Sequence, residues 1–382
     1  MKINMAALKK IKEKIKKKTK SASLKKKPVK KQVRRKSADR KSKLKLSRSP
    51  GNPIIEPGAN SWESKAAFNP TALYHDGKVH VIYRAIGEGD VSVLGYASSE
   101  DGINFTLRSP EPVFTHGGRI PTYANFNKFS VPRIDYISGG GWGGGCEDPR
   151  LTKLGDTAYM IYTAFDGWGS VRLTLTSVSL DDFVSGRWNW RRPVFISPPG
   201  EIHKNWVIFP EKINDKYAIL HSISPKIMVD YFRSLDELDG KNFIYSVHQG
   251  SLLWQARDRL VRGVGPAPIK TKFGWLILYH KMEKHDSHRY KLWAMILDAK
   301  NPEKILHVSK HPILEPDLWY ENEGYKGGVV YSCGAVVKDG NLFVYYGGAD
   351  KVSCVAQTRL DEFLKELVSS GVPALKNKKV KV

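Results

Sequence analysis

The residues best suited to chemistry in this sequence follow a glycine-rich run. The run occupies residues 139–145, and Glu147, Asp148 and Arg150 come directly after it. Glycine lets the backbone approach a ligand closely. Two adjacent carboxylates beside an arginine could supply a proton donor or acceptor and a cation that holds an anion. A surface turn with a structural ion pair has the same composition, so the motif alone leaves both interpretations open.

Five repeats of a strand, a tight turn and a second strand contain this motif and must position it. The turns are Asp-Gly or close variants, which is the chemistry that a β-hairpin requires. The second strands end at Tyr83, Tyr162, Leu220, Tyr279 and Tyr346. A fivefold antiparallel repeat predicts an all-β fold, a five-bladed β-propeller over residues 53–370. Helical periodicity is convincing only near Leu360 to Val368.

Equivalent positions of propeller repeats converge on one central funnel, so the repeats predict which side chains meet. The first residues of the repeats are Asn69, Asp148, Phe209, Ala267 and Gly334. The residues that follow the second strands are Arg84, Thr163, His221, His280 and Gly347. We therefore expect Asp148 to face a pocket edged by Arg84, His221 and His280, with Arg150 and either Lys204 or Lys212 close by.

One acid among several cations fits two kinds of glycoside chemistry. An inverting glycosidase needs a general acid and a second carboxylate that activates water. A phosphorylase needs the acid, and inorganic phosphate is the nucleophile that the cations hold. The cations are more evident in this sequence than an isolated base, although Glu211 and Asp350 remain candidates for the second carboxylate.

Three motifs make the chain resemble glycoside hydrolase family 130, the β-mannoside phosphorylases and related mannosidases. The motifs are GCEDPR at 145–150, KNWVIFPEKI at 204–213 and YYGGAD at 345–350, and the resemblance covers most of residues 53–362. It implies a five-bladed propeller and an inverting phosphorylase, similar to β-1,4-mannosyl-oligosaccharide phosphorylases. Such an enzyme transfers a mannosyl unit from a mannose-containing oligosaccharide to inorganic phosphate, giving α-mannose 1-phosphate. Phosphate is then the co-substrate, with no further cofactor and no metal.

The resemblance also implies roles for individual residues. Asp148 is the general acid, acting through a hydroxyl group of the sugar. The candidates for substrate binding are Asn69, Arg84, Glu211 and Asp350. The candidates for phosphate binding are Arg150, Lys204, His221 and His280. One departure weakens the phosphate site: Ser222 follows His221 where phosphorylase members often carry arginine.

Three other functions compete with phosphorolysis. A mannosidase of the same fold would use water as the nucleophile. A non-catalytic carbohydrate-binding propeller would have little use for an acid ringed by cations. A five-bladed glycosidase with a separate base, stabiliser and acid is disfavoured, because its early aspartate position is occupied by Asn69. Linkage, chain length, acceptor sugar and oligomeric state are left open.

Composition separates a basic tail from the rest of the chain. Residues 1–50 hold 22 of the 62 lysines and arginines but two of the 38 acids, and they lack aromatic residues. We expect this tail to be disordered and to contact, if anything, an anionic polymer or a membrane surface. Three sparse cysteines, and no apolar run of membrane-spanning length, favour a cytoplasmic enzyme. Cys146 has no histidine near it in sequence, so a buried thiol is favoured over a nucleophile.

Overall fold

Antiparallel strands are the main regular structure in the part of the chain that the structure describes. This computed structural model describes residues 44–117, 120, 141–248 and 251–373. The predicted all-β class is confirmed. Helical structure in these residues comprises α1 (Leu180–Val184), α2 (Leu252–Ala256), α3 (Leu360–Ser370) and two 3-10 turns at Leu235–Glu237 and Trp319–Glu321. None of these helices is both long and apolar enough to cross a membrane.

The strands follow one another in five groups. Strand β1 (Ser47–Arg48) precedes them. The first group is β2 (Ala66–His75), β3 (Lys78–Ile86), β4 (Ser92–Ser99) and β5 (Leu107–Arg108). The second is β6 (Gly145–Leu154), β7 (Thr157–Phe165), β8 (Val171–Ser179) and β9 (Val194–Phe195). A parallel contact between Ser92 and Gly145 joins these two groups into one sheet.

The remaining groups repeat the same meander. The third is β10 (Val207–Ile208), β11 (Tyr217–Ser222) and β12 (Met228–Phe232). The fourth is β13 (Val261–Val264), β14 (Ile269–Thr271), β15 (Gly274–Glu283), β16 (Asp286–Leu297) and β17 (Ile305–Val308), and β21 (Val372–Pro373) pairs with β17. The fifth is β18 (Val330–Lys338), β19 (Asn341–Gly348) and β20 (Val352–Arg359), with β1 on the outer edge of β20.

All five predicted hairpins are present as antiparallel pairs, namely β2–β3, β6–β7, β10–β11, β14–β15 and β18–β19. Their turns explain why the sequence signal was clear. Asp76 and Gly77 have φ angles of 48° and 72°, and Asp339 and Gly340 have φ angles of 51° and 72°. Two successive residues with positive φ are what the tight hairpin turn requires, and Asp-Gly supplies them at low cost.

Apolar clusters pack each group against the next, and the fifth against the first. Residues of the first two groups share one cluster, as Ile82 and Met160 do, and the second and third groups share another. Further clusters join the third group to the fourth and the fourth to the fifth. Tyr345 and Val81 belong to the cluster between the fifth and first groups. The packing therefore closes on itself, and each strand group has two neighbouring groups.

The segment before residue 53 corrects the predicted domain boundary. Leu44 and Leu46 are buried in the cluster between the fourth and fifth groups, and β1 adds a strand to β20. Arg48 donates to Glu321, whose side chain is fully buried. Residues 44–50 therefore belong to the fold, because two apolar side chains and a buried ion pair fix them. The remainder of the predicted tail, residues 1–43, lies outside the described residues, as do its predicted disorder and anionic contacts.

We predict that Arg48→Ala destabilises the fold by about 2 to 4 kcal/mol, because it leaves a buried carboxylate without its cation. The matched control is Lys45→Ala, which removes an exposed pair with Glu315 and should cost less than about 1 kcal/mol. Urea unfolding of the full chain measures both. Equal effects of the two substitutions would contradict a structural role for Arg48.

Candidate active site

A polar cavity of about 210 Å³ lies where residues from all five groups approach one another. Six of the residues predicted from the sequence line it: Asn69, Arg84, Asp148, Lys204, His221 and Asp350. Three others do not, namely Arg150, Glu211 and His280. The cavity is thus assembled from residues that are up to 281 positions apart in the chain, counted from Asn69 to Asp350.

A matching irregularity in two strands brings Asp148 and Asn69 together. The pairing register shifts between Glu147 and Arg150 in β6, and between Phe68 and Thr71 in β2. Asp148 and Asn69 have φ angles of 47° and 49°, a conformation in which Asp and Asn are over-represented. Such a bulge re-aims a side chain out of the regular alternation. Here it lets Asn69 Nδ2 donate to Asp148 Oδ1 at 2.8 Å.

A second buried carboxylate holds two cations beside Asp148. Glu147 is fully buried, and its Oε1 accepts from Arg84 at 3.1 Å. Its Oε2 accepts from Lys204 Nζ at 2.9 Å. Arg84 also approaches Asp148 Oδ1 at 3.5 Å. The sequence analysis placed Asp148 at the pocket and gave Glu147 no role. In the structure Asp148 lines the cavity, whereas Glu147 binds the two cations.

The two cavity carboxylates differ in acidity. Burial alone would raise the pKa of Asp148, but the charges of Arg84, Lys204 and Arg150 and the hydrogen bond from Asn69 hold it below its usual range. Burial raises the pKa of Asp350 to about 6, with a further contribution from the charge of Asp148. At neutral pH Asp148 is therefore ionised, and Asp350 titrates close to neutrality.

Arg150 lies next to Asp148 but is buried behind the cavity and does not line it. It donates through Nη1 to the carbonyl oxygen of Asp148 at 2.8 Å and through Nε to that of Gly265 at 3.0 Å. Its Nη2 donates to Asn205 Oδ1 at 2.8 Å. Protein oxygens therefore accept from all three of its nitrogens, and Arg150 braces the backbone of Asp148 against the third and fourth groups.

His280 is also a supporting residue, contrary to the sequence expectation. It is fully buried and stacks on Tyr331 with ring centroids 4.2 Å apart. Its Nε2 accepts from the backbone N–H of Ser332 at 2.9 Å. Burial, helped by the charge of Arg150, lowers the pKa of His280 to about 3. The imidazole is thus neutral and supports Tyr331, which lines the cavity.

Glu211 lies away from the cavity, so its predicted place at the substrate is not observed. Phe209 and Ile213 take the buried positions of this turn, and the Glu211 side chain is 54% exposed. It pairs with Lys270 at 3.1 Å. Lys212 beside it lies over the ring of Tyr217. Both charged side chains therefore lie at the surface, between the buried Phe209 and Ile213.

His221 lines the cavity as expected, and its hydrogen bonds fix the ring. Its Nδ1 lies 2.9 Å from Ser246 Oγ, which itself donates to the carbonyl oxygen of His221 at 3.0 Å. Ser222 also lines the cavity. Its hydroxyl donates to the carbonyl oxygens of Ser224 and Lys226, at 3.1 and 3.2 Å. The Ser222 hydroxyl is therefore engaged within its own turn.

Several lining residues were missed from the sequence, the main ones being Trp254, Arg257, Arg262, Tyr290 and Lys326. They lie in α2, in β13, in β16 and in connecting segments, at positions to which the repeat alignment assigns no common place. The arginines and the lysine gave no signal by type, because such residues are common along the chain.

Cys146, which lies beside Glu147 and Asp148, lacks the features of a nucleophile. Cys146 is buried and unpaired, and burial raises the pKa of its thiol above the ordinary range. A nucleophilic thiolate requires the opposite shift. No cluster of three or more potential metal ligands occurs among the residues that the structure describes.

A family model described as beta-1,4-mannooligosaccharide phosphorylase, glycoside hydrolase family 130, matches residues 23–368. A 1,2-β-oligomannan phosphorylase of Thermoanaerobacter sp. (strain X514) is 38% identical over 325 residues, which cover 82% of this chain and 97% of that protein. A β-1,2-mannobiose phosphorylase of the same organism is 34% identical, over 80% of this chain and 95% of that protein.

This chain is also similar to solved structures of mannoside phosphorylases and related hydrolases. The β-1,2-mannobiose phosphorylase of Listeria innocua, in complex with β-1,2-mannobiose, has a TM-score of 0.60 and 25% identity, and the match covers 84% of this chain and 99% of that chain. Another structure comes from a family of mannoside phosphorylases described as containing hydrolases of β-1,2-mannosidic linkages in Candida mannan. It has a TM-score of 0.62 and 25% identity, over 83% of this chain and 94% of that chain.

The raised pKa of Asp350 predicts a stability effect with a defined pH dependence. Ionising this buried group costs the native state free energy above about pH 6, and the cost is absent near pH 4, where the native carboxyl is protonated. Asp350→Asn should therefore increase the free energy of unfolding at pH 8 by about 1 to 3 kcal/mol. It should have little effect at pH 4. Urea unfolding at the two pH values measures this, and an equal effect at both would contradict the shifted pKa.

Proposed function

The chain belongs to glycoside hydrolase family 130, and we propose that it is an inverting phosphorylase that cleaves β-mannosides with inorganic phosphate, giving α-mannose 1-phosphate. One observation carries the proposal. An aspartate with an amide donor, Asn69, lies in a polar cavity next to cations that a buried glutamate holds in place. The curated relatives reported above are phosphorylases of mannosides, which supports this function.

We further propose that the five strand groups are the blades of a five-bladed propeller. The cyclic order of the apolar clusters supports this, since each group packs on the next and the fifth packs on the first. Strand β1 also supports a propeller. It is the first strand of the described chain, yet it pairs with β20 and so completes the fifth group. The cavity then lies on the axis, where equivalent positions of Asn69 and Asp148 meet.

We propose that Asp148 is the general acid and that it becomes protonated when phosphate binds. In the absence of phosphate, Arg84, Lys204 and Arg150 keep its pKa low. A phosphate dianion bound near Lys204 cancels part of that positive potential, so the pKa of Asp148 rises. The acid then donates its proton through a sugar hydroxyl to the leaving oxygen. A phosphate oxygen forms the new bond to the anomeric carbon from the opposite face, which inverts the configuration.

The remaining predicted residues divide between the two substrates. We assign the mannosyl unit to Asn69 and Asp350, whose amide and carboxyl groups can exchange hydrogen bonds with sugar hydroxyls. We also assign Arg84 to the mannosyl-binding residues, because it contacts Asp148 and Glu147. We assign phosphate to Lys204 and His221, which line the same cavity. Arg150 and His280 support these residues from behind.

We propose a β-1,2-linked mannoside as the preferred substrate. The relatives at 38% and 34% identity are named for β-1,2 linkages, whereas a β-1,4-mannooligosaccharide phosphorylase of Ruminococcus albus is 26% identical. We also propose that the enzyme works in the reducing cytoplasm, which fits three buried, unpaired cysteines.

Hydrolysis is the second candidate, and Asp350 favours it. A carboxyl group with a pKa of about 6 in the same cavity as Asp148 has the acidity of a general base that activates water. Phosphorolysis uses phosphate as the nucleophile and hydrolysis uses water, so the dependence of cleavage on phosphate distinguishes the two reactions.

The function is tested by incubating the full chain with β-1,2-mannobiose, β-1,2-mannotriose and β-1,4-mannobiose, with and without phosphate. We expect α-mannose 1-phosphate from the β-1,2-linked substrates and no cleavage without phosphate. Free mannose released at the same rate in rigorously phosphate-free buffer would identify a hydrolase, in which Asp350 is the base to test. Faster phosphorolysis of the β-1,4-linked substrate would overturn the linkage assignment alone.

Asp148→Asn keeps the shape of the side chain and removes the proton donor. Turnover should fall about 10²–10⁴-fold, because general acid catalysis is typically worth that much. The pKa of Asp350 should drop below about 6, because the neighbouring negative charge is lost. Steady-state kinetics and the pH dependence of mannoside binding measure the two effects. Near-normal turnover in a folded variant would exclude Asp148 as the acid.

A further inference from the structure

Two exposed tryptophans lie beside the cavity without lining it. Trp142 is 41% exposed and precedes β6, whereas Trp168 is 64% exposed and lies in the turn between β7 and β8. Val91, also exposed, contacts the segment that carries Trp142. Single exposed apolar residues are common, but neighbouring ones mark a surface that binds something. We call Trp142 and Trp168 the rim tryptophans.

Each rim tryptophan lies in a segment that packs against a residue of the cavity lining. A Cβ atom on Gly141, the neighbour of Trp142, would lie 3.4 Å from Nη2 of Arg84. On the side of Trp168, the ends of its turn, Phe165 and Val171, pack against Ile202. Arg84 and Ile202 both line the cavity. The two indoles are therefore attached to its edge.

Hydrogen bonds and backbone packing keep both segments in place. The backbone N–H of Trp142 donates to Asp90 Oδ2 at 3.1 Å. Asp166 Oδ1 accepts from the three successive backbone N–H groups of residues 168–170, at 2.8 to 2.9 Å. A Cβ atom on Gly167 would lie 3.0 Å from the carbonyl oxygen of Trp142, so the two segments touch. A surface that is fixed before binding loses little conformational entropy when a ligand arrives.

The size of the cavity leaves a longer substrate partly outside it. Its volume is about 210 Å³, whereas pockets that enclose a drug-sized ligand measure about 300–1,000 Å³. In the proposed reaction it holds one mannosyl unit and phosphate. Arg150 and His280, which are both buried, fill the space behind it. The further units of an oligosaccharide must therefore leave through the mouth of the cavity.

The proposed mechanism indicates on which side these units leave. The leaving oxygen receives the proton of Asp148, and phosphate at Lys204 and His221 attacks from the opposite face. The leaving sugar then lies on the side of Asp148. In β6, Asp148 lies near the end at which Gly145 pairs with Phe165. The segments that carry the rim tryptophans adjoin this same end of the β6–β7 hairpin.

We propose that the rim tryptophans bind the sugar units of a β-mannoside that extend beyond the cavity, so that the enzyme prefers chains of three or more units. The inference rests on the proposed function and deepens it. The C–H face of a pyranose ring can stack on an indole while its hydroxyl groups stay in water, and indoles are suited to such half-wet contacts. Asp90, the charged neighbour of Trp142, pairs with Lys65 at 3.8 Å, which favours a neutral ligand over an ion.

The test measures oligosaccharide binding to Trp142→Ala and Trp168→Ala by calorimetry, without phosphate. All variants are made in the full chain with Asp148→Asn, so that neither phosphate nor water cleaves the ligand. The ligands are β-1,2-mannobiose and β-1,2-mannotetraose, and the corresponding β-1,4-linked pair is titrated in parallel. The control is Trp319→Ala, because Trp319 is 58% exposed and lies in a 3-10 turn outside the cavity lining. Thermal unfolding and size-exclusion chromatography check folding and oligomeric state.

Each rim variant should raise Kd for the tetraose about 5- to 10-fold and change Kd for the biose less than about twofold. Trp168→Tyr retains an aromatic ring and should recover most of the loss. Trp319→Ala should bind both ligands as the parent does. In chains that keep Asp148, KM for the tetraose should rise in parallel while kcat stays unchanged, as expected for contacts made equally in the ground and transition states.

Two results would overturn the proposal. One is an unchanged Kd for the tetraose in both rim variants. The other is an equal loss of affinity for biose and tetraose, which would indicate damage to the cavity itself. If a rim variant also dissociates an oligomer while tetraose binding is unchanged, the tryptophans form an interface between copies of this chain instead.

These outcomes are separate from the test of the proposed function. If the unsubstituted chain hydrolyses mannosides without phosphate, yet the rim variants lose affinity for the tetraose alone, phosphorolysis is excluded and the rim site stands. If phosphorolysis is normal and the rim variants bind the tetraose as tightly as their parent, the function stands and the rim site is excluded.

Discussion

The buried carboxylate of Glu147 is the interaction on which the rest of the site depends. It accepts from Arg84 on one oxygen and from Lys204 on the other, and these two cations come from different strand groups. Without it, two positive charges would lie together beside Asp148 with one carboxylate to share. A buried carboxylate with two cations satisfies its own hydrogen bonds and keeps both cations in place. Asp148 is left to line the cavity, where we propose that it acts as the general acid.

A second set of contacts determines where the backbone of the site lies. Arg150 donates to the backbone of Asp148 and of Gly265 and to the side chain of Asn205. The second, third and fourth strand groups are thereby joined behind the cavity wall. His280 and Tyr331, stacked on one another, fill the adjacent space. The chemistry of the site therefore relies on buried polar residues that do not line the cavity themselves, in keeping with the need to hold reacting groups within narrow limits.

The charge distribution of the cavity fits the proposed binding of both an anion and a neutral sugar. The wall that carries Asp148, Asn69 and Asp350 has acceptors and an amide suited to hydroxyl groups. The wall that carries Arg257 and Arg262 has positive charge without bound carboxylates. In the ligand-free protein each wall holds a charged group at a cost in folding free energy. The raised pKa of Asp350 and the lowered pKa of Arg257 indicate this cost. Native proteins commonly give up stability at a functional site in this way.

The sequence determined the local parts of this molecule. Turns such as Asp76-Gly77 and Asp339-Gly340 identified the hairpins, since their φ angles depend on the residues of the turn themselves. The Asp-Pro and Asn-Pro positions at 148 and 69 identified the two residues that meet, because equivalent places in a repeat occupy equivalent places in space.

Tertiary structure alone decided the rest. Arg150 and His280 are charged or titratable residues in suitable positions, yet burial and their hydrogen-bond partners give them supporting roles. Glu211 faces solvent, and Leu44 and Leu46 complete a core more than 200 residues away. Arg257 and Arg262 line the cavity from the C-terminal end of α2 and from β13, at positions that the repeat alignment did not cover. Burial and charge compensation depend on contacts between distant segments, and no local pattern in the sequence records them.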